Sequence, residues 1–336
     1  MEIEVMFLGT GGSAPSAARA PSATVLRREG DLLLVDCGEG TQRQLLRSTL
    51  GLSEIDLIAF THYHGDHVLG LPGLLKTYDL HGRQRPISLT GPPGLRDLMR
   101  AFAPFLGRLS YEVDLYEVHD GDVVERAGYE LVARSVQHRG PAIAWTLVED
   151  GRPGVFDASL ADELGVPHGP ERGALLQGRP VTLADGRTIE PAQLVGSARR
   201  GRSLVLTGDT VPCETVVEIA RGADLLVHEA TFVEADAERA RETQHSTAAG
   251  AAAIARDAGV TLLALTHLGQ RSAPRETEAE ARAVFPDTVV PRDFDIIVIP
   301  LPERGPPRLE PRAARRGRRE AASPDVPDDA PRGVAQ

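Results

Sequence analysis

Lysine is almost absent from this 336-residue chain: Lys76 stands alone, and every other basic residue is arginine. Aromatic residues are scarce as well, at 4%. The two cysteines, Cys37 and Cys213, form no CxxC pair. That excludes a cross-linked scaffold and predicts buried thiols in a reducing, cytoplasmic compartment. No apolar run approaches the roughly 20 residues needed to cross a bilayer, so no membrane partner is expected. The start, Met1-Glu2-Ile3-Glu4, lacks a basic region followed by an apolar stretch, and no secretory signal is read there. Positive charge is in deficit, with 37 Lys+Arg against 48 Asp+Glu and a net charge of −11. Phosphate contacts come from basic surface, so any nucleic-acid role must rest on a site or a local patch.

What is present is a globular balance, 41% hydrophobic and 25% charged. Short apolar runs recur: 2–8, 32–36, 55–60, 131–136, 204–207, 225–227 and 262–265. Runs of this length bounded by turn residues predict strands buried on both faces. Helical patterns lie between them at 212–220, 246–258 and 275–285. Layers of helix on sheet, an α/β class, follow. The stretch from about 150 to 202 breaks the rhythm with ten Gly and Pro residues up to Pro180, which predicts an insertion with its own role. From Pro302 to Gln336 the chain is rich in Pro and Arg and poor in large apolar residues, and it reads as a disordered tail. Its cluster Arg312, Arg315, Arg316, Arg318 and Arg319 is either a solubilising end or a weak phosphate-binding arm.

Ionisable residues gather where strands end. Asp36, His62, His138, Asp209, His228 and His267 each follow a predicted strand, the place where α/β sheets collect ligands and catalytic groups. The densest group is Thr61-His62-Tyr63-His64-Gly65-Asp66-His67, three imidazoles and one carboxylate on a tight loop. Imidazole with carboxylate suits Zn²⁺ or a similar divalent ion. On an extended loop His62 and His64 point the same way, while Asp66 and His67 point elsewhere, as a second metal requires. His81, His119 and His168 belong to no motif and read as surface or core residues; Trp145, Ile143 and Leu147 read as strand core.

The HxHxDH loop, together with Asp36, His138, Asp209 in Thr-Gly-Asp-Thr, and His267, resembles the metallo-β-lactamase superfamily. The narrower resemblance is to ribonuclease Z, the endonuclease of tRNA 3′ ends. It rests on Phe7-Leu8-Gly9-Thr10-Gly11, Asp36-Cys37-Gly38-Glu39-Gly40-Thr41-Gln42, Gly70-Leu71-Pro72-Gly73, Val227-His228-Glu229-Ala230-Thr231-Phe232, His245-Ser246-Thr247 and Thr266-His267. It spans about residues 1–301 and implies an αββα sandwich with a protruding flexible arm at about 150–200. It further implies two Zn²⁺ per subunit, with Mn²⁺ as an alternative: His62, His64 and His138 on one, Asp66, His67 and His267 on the other, Asp209 between them. Asp36 is expected to orient a ligand, or else to be a turn residue at a strand end. His228 is expected in the same outer layer. A phosphodiester needs an attacking hydroxide and neutralised oxygens, which two metals provide. Asp66 is placed to accept the water proton. His245, charged by Glu229, is the candidate donor to the leaving oxygen. The competing reading is that His245 merely precedes a helix capped by Ser246.

The resemblance implies precursor tRNA as partner and a homodimer as the active unit, with the arm gripping tRNA through Gly169 and Pro170. From Glu149 to Glu190 this arm carries eight acids and four arginines, so a purely electrostatic grip is not expected. Arg199, Arg200 and Arg202 at its base are phosphate candidates, or else a solvated charge run. Two departures from the family pattern stand out: Arg19 is followed by Ala20-Pro21, and Arg271 by Ser272. The alternative function is a phosphodiesterase of the same fold acting on small or cyclic phosphodiesters.

Overall fold

The structure, a computed structural model, describes residues 2–52 and 55–312. Two mixed sheets stack face to face. The first runs β17 (Arg308–Glu310), β16 (Ile296–Ile299), β1 (Ile3–Gly9), β2 (Ala23–Arg28), β3 (Asp31–Val35), β4 (Leu57–Ala59), β5 (Ile87–Gly91), β6 (Val113–Glu117). The second runs β15 (Thr288–Val289), β14 (Leu262–Thr266), β13 (Leu225–Glu229), β12 (Ser203–Leu206), β9 (Ile143–Glu149), β8 (Tyr129–Ser135), β7 (Val123–Arg126).

Alternation along each strand explains the layering. In β1, Ile3, Val5 and Phe7 enter the core between the sheets, while Met6 and Leu8 face the outer helices. In β12 and β13, Leu204, Leu206, Leu225 and Val227 face the same inter-sheet core; Val205 and Leu226 face the helices behind the second sheet. Apolar runs without polar interruption are what strands covered on both faces require. Helices Leu71–Leu80 and Leu95–Leu106 cover the first sheet, and Ala248–Ala258 covers the second. This is the expected αββα sandwich. Cys37 and Cys213 are buried thiols, and Trp145 lies in the inter-sheet core.

Two hydrogen bonds join the sheets beside the rim. The indole Nε1–H of Trp145 donates to the carbonyl of Phe60 (3.0 Å), and the Ile143 N–H donates to the carbonyl of Thr61 (2.9 Å). Thus β9 of the second sheet holds the segment that leaves β4 of the first, one residue before His62.

Residues 150–202 form a small unit of their own. Helices Ala158–Glu163, Pro170–Leu176 and Pro191–Leu194 and the hairpin β10 (Val181–Thr182) and β11 (Thr188–Ile189) pack around Ala161, Val166, Leu175, Ile189 and Leu194. Its neck is closed by charge. Arg202 and Glu149, both buried, make a fork-to-fork pair at 2.6 and 2.8 Å, and Arg28 adds a third bond to Glu149 at 3.0 Å. Further out, Arg152 and Arg199 both reach the Glu303 carboxylate.

One boundary differs from expectation. Residues 302–312, predicted to belong to a disordered tail, continue the fold: β17 pairs antiparallel with β16, and Leu309 packs against the inter-sheet core. The remainder of that predicted tail, with Arg315, Arg316, Arg318 and Arg319, lies outside the described residues.

The neck pair predicts a pH-dependent stability. Burial alone raises the Glu149 carboxyl, but Arg202 and Arg28 outweigh it and hold the group at about 2. A depressed folded-state value contributes stability above the ordinary carboxylate range, lost as pH falls toward that value. Glu149→Gln, which leaves Arg202 buried and unpaired, is expected to cost about 3 kcal/mol at neutral pH. Urea unfolding should show the wild-type advantage shrinking between pH 5 and pH 2, by about the whole difference.

Candidate metal centre and active site

The ends of β3, β4, β12, β13 and β14 meet at one rim of the sandwich. The segment after β4 carries His62 and His64, and the one-turn helix Gly65–Val68 carries Asp66 and His67. His138 follows β8, Asp209 follows β12, and His267 follows β14. Two glycines allow the close approach. A Cβ on Gly12 would meet the His267 ring at 2.6 Å. Gly208 sits at φ +61°, and a Cβ there would meet Thr61 at 2.5 Å.

Ring nitrogens converge on one another in two groups. His62 Nε2 and His138 Nε2 lie 3.0 and 3.2 Å from His64 Nδ1. On the other side, His267 Nε2 lies 3.2 Å from His67 Nε2 and 3.0 Å from Asp66 Oδ2. Asp209 stands between the groups. Its Oδ2 is 3.4 Å from His67 Nε2 and 3.7 Å from His62 Nε2, and its Oδ1 is 3.4 Å from His267 Nε2.

The opposite ring nitrogens are held from outside. Asp36 Oδ2 accepts from His67 Nδ1 at 2.7 Å, the Gln244 carbonyl accepts from His138 Nδ1 at 2.8 Å, and Thr231 Oγ1 meets His267 Nδ1 at 2.9 Å. With each Nδ1–H directed outward, the Nε2 atoms of His67, His138 and His267 face inward and are bare in the neutral ring. Asp209 Oδ1 is buried and accepts no hydrogen bond among the described residues. Several lone pairs and an orphaned carboxylate oxygen aimed at a common centre fit divalent cations. Burial pushes the His62 imidazole down to about 2, so it stays neutral, the form a metal ligand needs. His64 alone of the group is exposed, so the centre opens to solvent on that side.

Beside this centre Glu229 is fully buried, which alone would raise its carboxyl; the hydrogen bond from His245 reverses that and lowers it. In turn Glu229 raises the His245 imidazole against the effect of burial. The bond between Glu229 Oε1 and His245 Nδ1 is 2.8 Å. The His245 ring stacks on His267 with centroids 5.6 Å apart.

Backbone strain concentrates here. Ser13, Asp36, Gln244 and His267 all occupy the left-handed region, at φ +65°, +58°, +59° and +55°. Each such residue costs about 1 kcal/mol or more, and these four place either a site side chain or the carbonyl or N–H that holds one. The Ser13 N–H donates to Asp66 Oδ2 at 2.7 Å, which fixes that carboxylate.

Some expected residues lie elsewhere. His228 is not part of the outer layer. It lies inside β13, next to Glu229, and successive strand residues face opposite sides. Its Nδ1–H donates to the Glu229 carbonyl, and its Nε2 has no partner among the described residues. Arg199 pairs with Glu303, Arg200 makes a bidentate pair with Asp224 at 2.6 and 2.8 Å, and Arg202 is buried against Glu149. Carboxylates therefore already engage all three guanidinia. Gly169 and Pro170 are exposed at the start of a helix in the 150–202 unit. His81, His119 and His168, read as surface or core residues, are exposed. Thr61, Thr231, Ser13 and the Gln244 carbonyl were not anticipated. The two threonines directly adjoin motif residues, a signal that could have found them; the Gln244 carbonyl has none.

Sandwich and histidine-aspartate centre together define a class. The profile of the Metallo-beta-lactamase superfamily matches residues 17–231. Within that class the chain is similar to Ribonuclease Z of Myxococcus xanthus, 46% identical over 306 residues that cover 90% of this chain and 99% of that protein. It is 47% identical to Ribonuclease Z of Haloferax volcanii, over 85% of this chain and 91% of that one. The solved human tRNase Z, short form, is 30% identical with a TM-score of 0.63, covering 88% and 99% of the two chains. The chain belongs to the ribonuclease Z family of endoribonucleases.

The assembled imidazoles and carboxylates exist as a set only in the folded chain, so a divalent ion that binds them stabilises the fold. Removing divalent metal with a chelator is expected to lower the melting temperature by several degrees, and adding back Zn²⁺ to restore it. In Asp209→Asn the same additions should move it far less; an unchanged wild-type melting curve would count against a metal centre.

Proposed function

We propose that this enzyme removes the 3′ trailer from precursor tRNA, leaving a 3′-OH on the tRNA and a 5′-phosphate on the trailer. The observation that carries the reading is the Glu229–His245 pair set against a seven-residue histidine-aspartate centre, in a chain of this family. The names of its relatives, Ribonuclease Z and tRNase Z, support the substrate.

His62, His64 and His138 would hold one divalent ion, Asp66, His67 and His267 a second, with Asp209 shared; zinc is the metal best suited to five imidazoles and two carboxylates. Such ions supply water activation and charge neutralisation at the phosphate. Asp66, steadied by the Ser13 N–H, accepts the proton of the attacking water. His245 is held at Nδ1 by Glu229, so its Nε2 faces outward and gives a proton to the departing 3′ oxygen. Asp36 fixes His67 from behind, and Thr61 Oγ1–H in turn donates to Asp36.

The 150–202 unit acts in this reading as a tRNA-gripping arm. Its exposed Gly169-Pro170 turn makes contact through backbone rather than charge. The active unit is a homodimer in the cytoplasm. Among the described residues no helix is long and apolar enough to cross a membrane.

Two measurements test this. His64→Ala or Asp209→Ala should slow trailer removal by about 10³-fold or more while tRNA still binds, the scale of losing a group that stabilises transition-state charge. Near-normal turnover in either variant refutes the assignment. Replacing residues 152–199 by a short linker should spare hydrolysis of a small phosphodiester ester and reduce tRNA cleavage by orders of magnitude. Equal loss on both substrates speaks against an arm and for the small-phosphodiester alternative.

A further inference from the structure

Behind the loop that carries Ser13 lies an open cavity of about 590 Å³. Five guanidinia line it, those of Arg19, Arg43, Arg47, Arg292 and Arg312, against two carboxylates, Glu39 and Asp293. In a chain of net charge −11 this is a local reversal of sign.

Asp293 offsets one of the five charges, and neutral donors fill its oxygens. It accepts from the Thr10 hydroxyl (2.7 Å), the Ala20 N–H (2.8 Å) and the Gln44 amide (3.0 Å). It thereby ties the loop after β1 to the segment before β16. Burial lowers the Arg19 guanidinium; Asp293 opposes this, and the like charge of Arg292 adds to it. Phe294 follows in the left-handed region at φ +75°. The guanidinium carbons of Arg47 and Arg312 stand 5.2 and 4.1 Å from its ring centre. Arg43 and Arg292 are exposed, and their side chains meet no hydrogen-bond or ion-pair partner among the described residues. Phe294 is itself buried, so it offers no open face to a base.

The cavity adjoins the centre through a single loop. The Ser13 N–H holds Asp66, and residues 15–21 of the same loop form the cavity wall. A strand leaving the scissile phosphate along this loop meets the cavity. Guanidinium forks match phosphate oxygens, and a positively charged groove tracks the backbone of a single strand.

We propose that this arginine cavity is a subsite for the backbone phosphates of the single-stranded 3′ trailer. The inference rests on the tRNA reading given above for the substrate. It makes the contact electrostatic and independent of trailer sequence, because arginine meets phosphate there and no base is stacked.

The test compares precursors bearing a trailer of a single nucleotide with precursors bearing about a dozen, using the full chain and Arg43→Ala/Arg292→Ala. The wild type should cut the longer precursor with kcat/KM about tenfold higher at low salt, and the advantage should fade as salt rises. The variant should lose that advantage and cut the single-nucleotide precursor at the wild-type rate. In parallel, fluorescence anisotropy follows a labelled single-stranded RNA of the trailer sequence; the wild type should bind it and the variant about tenfold more weakly. Equal slowing of both precursors places the arginines on the tRNA side and overturns the proposal. A retained length advantage, or equal RNA binding by the two proteins, overturns it as well. If the wild type cuts neither precursor yet the variant still loses RNA binding, the tRNA reading fails and the subsite stands.

Discussion

Two carbonyls hold the site together. Those of Phe60 and Thr61 directly follow the β4 strand of one sheet, and each accepts a hydrogen bond from β9 of the other, one from the Trp145 indole and one from the Ile143 backbone. His62 follows immediately. The loop of His62, His64, Asp66 and His67 belongs to the first sheet, while His138, Asp209 and His267 belong to the second. Neither sheet carries a complete donor set. The inter-sheet core of Phe7, Leu33, Trp145, Leu206 and Val227 therefore does more than stabilise the fold, since its thickness sets the distance across the centre. Strain at Asp36, Gln244 and His267 persists because the packing on both sides fixes those residues.

Much of this was legible in the sequence because strands covered on both faces write themselves as short apolar runs. The residues that stop each run are then the ones that reach the rim. Residue counting failed where one position decides the face. The run 225–227 continues to Glu229, so His228 and Glu229 fall on opposite sides of β13, and only Glu229 reaches the site. Arg199, Arg200 and Arg202 read as a charge run because their partners are remote in sequence: Glu303, Asp224 and Glu149. The Gln244 carbonyl was invisible, since every residue has one and only a left-handed turn aims it at His138. The Pro-rich composition after residue 301 concealed β17, which a single apolar side chain, Leu309, anchors.

The near-absence of lysine acquires a structural meaning. Arginine's fixed fork can satisfy a carboxylate with two parallel bonds and survive burial, whereas a lysine ammonium is more strongly hydrated. The chain uses this at the neck of the 150–202 unit, where Arg202 and Glu149 lock inside and Arg152 and Arg199 share Glu303 outside. A unit with a small core of its own is thus tied at its root by charge.

The Thr231 hydroxyl has one proton and three neighbours: Glu229 Oε2 at 2.7 Å, His267 Nδ1 at 2.9 Å and His245 Nδ1 at 3.3 Å. While Glu229 is ionised, the hydroxyl gives its proton to the carboxylate, and its oxygen can only receive one from the His267 ring. That selects the His267 tautomer whose far nitrogen is bare. A carboxylate that never reaches the centre thereby dictates how one of the centre's imidazoles presents itself, and the same carboxylate charges His245. Tuning one half of the chemistry without disturbing the other is ruled out by a single rotatable bond.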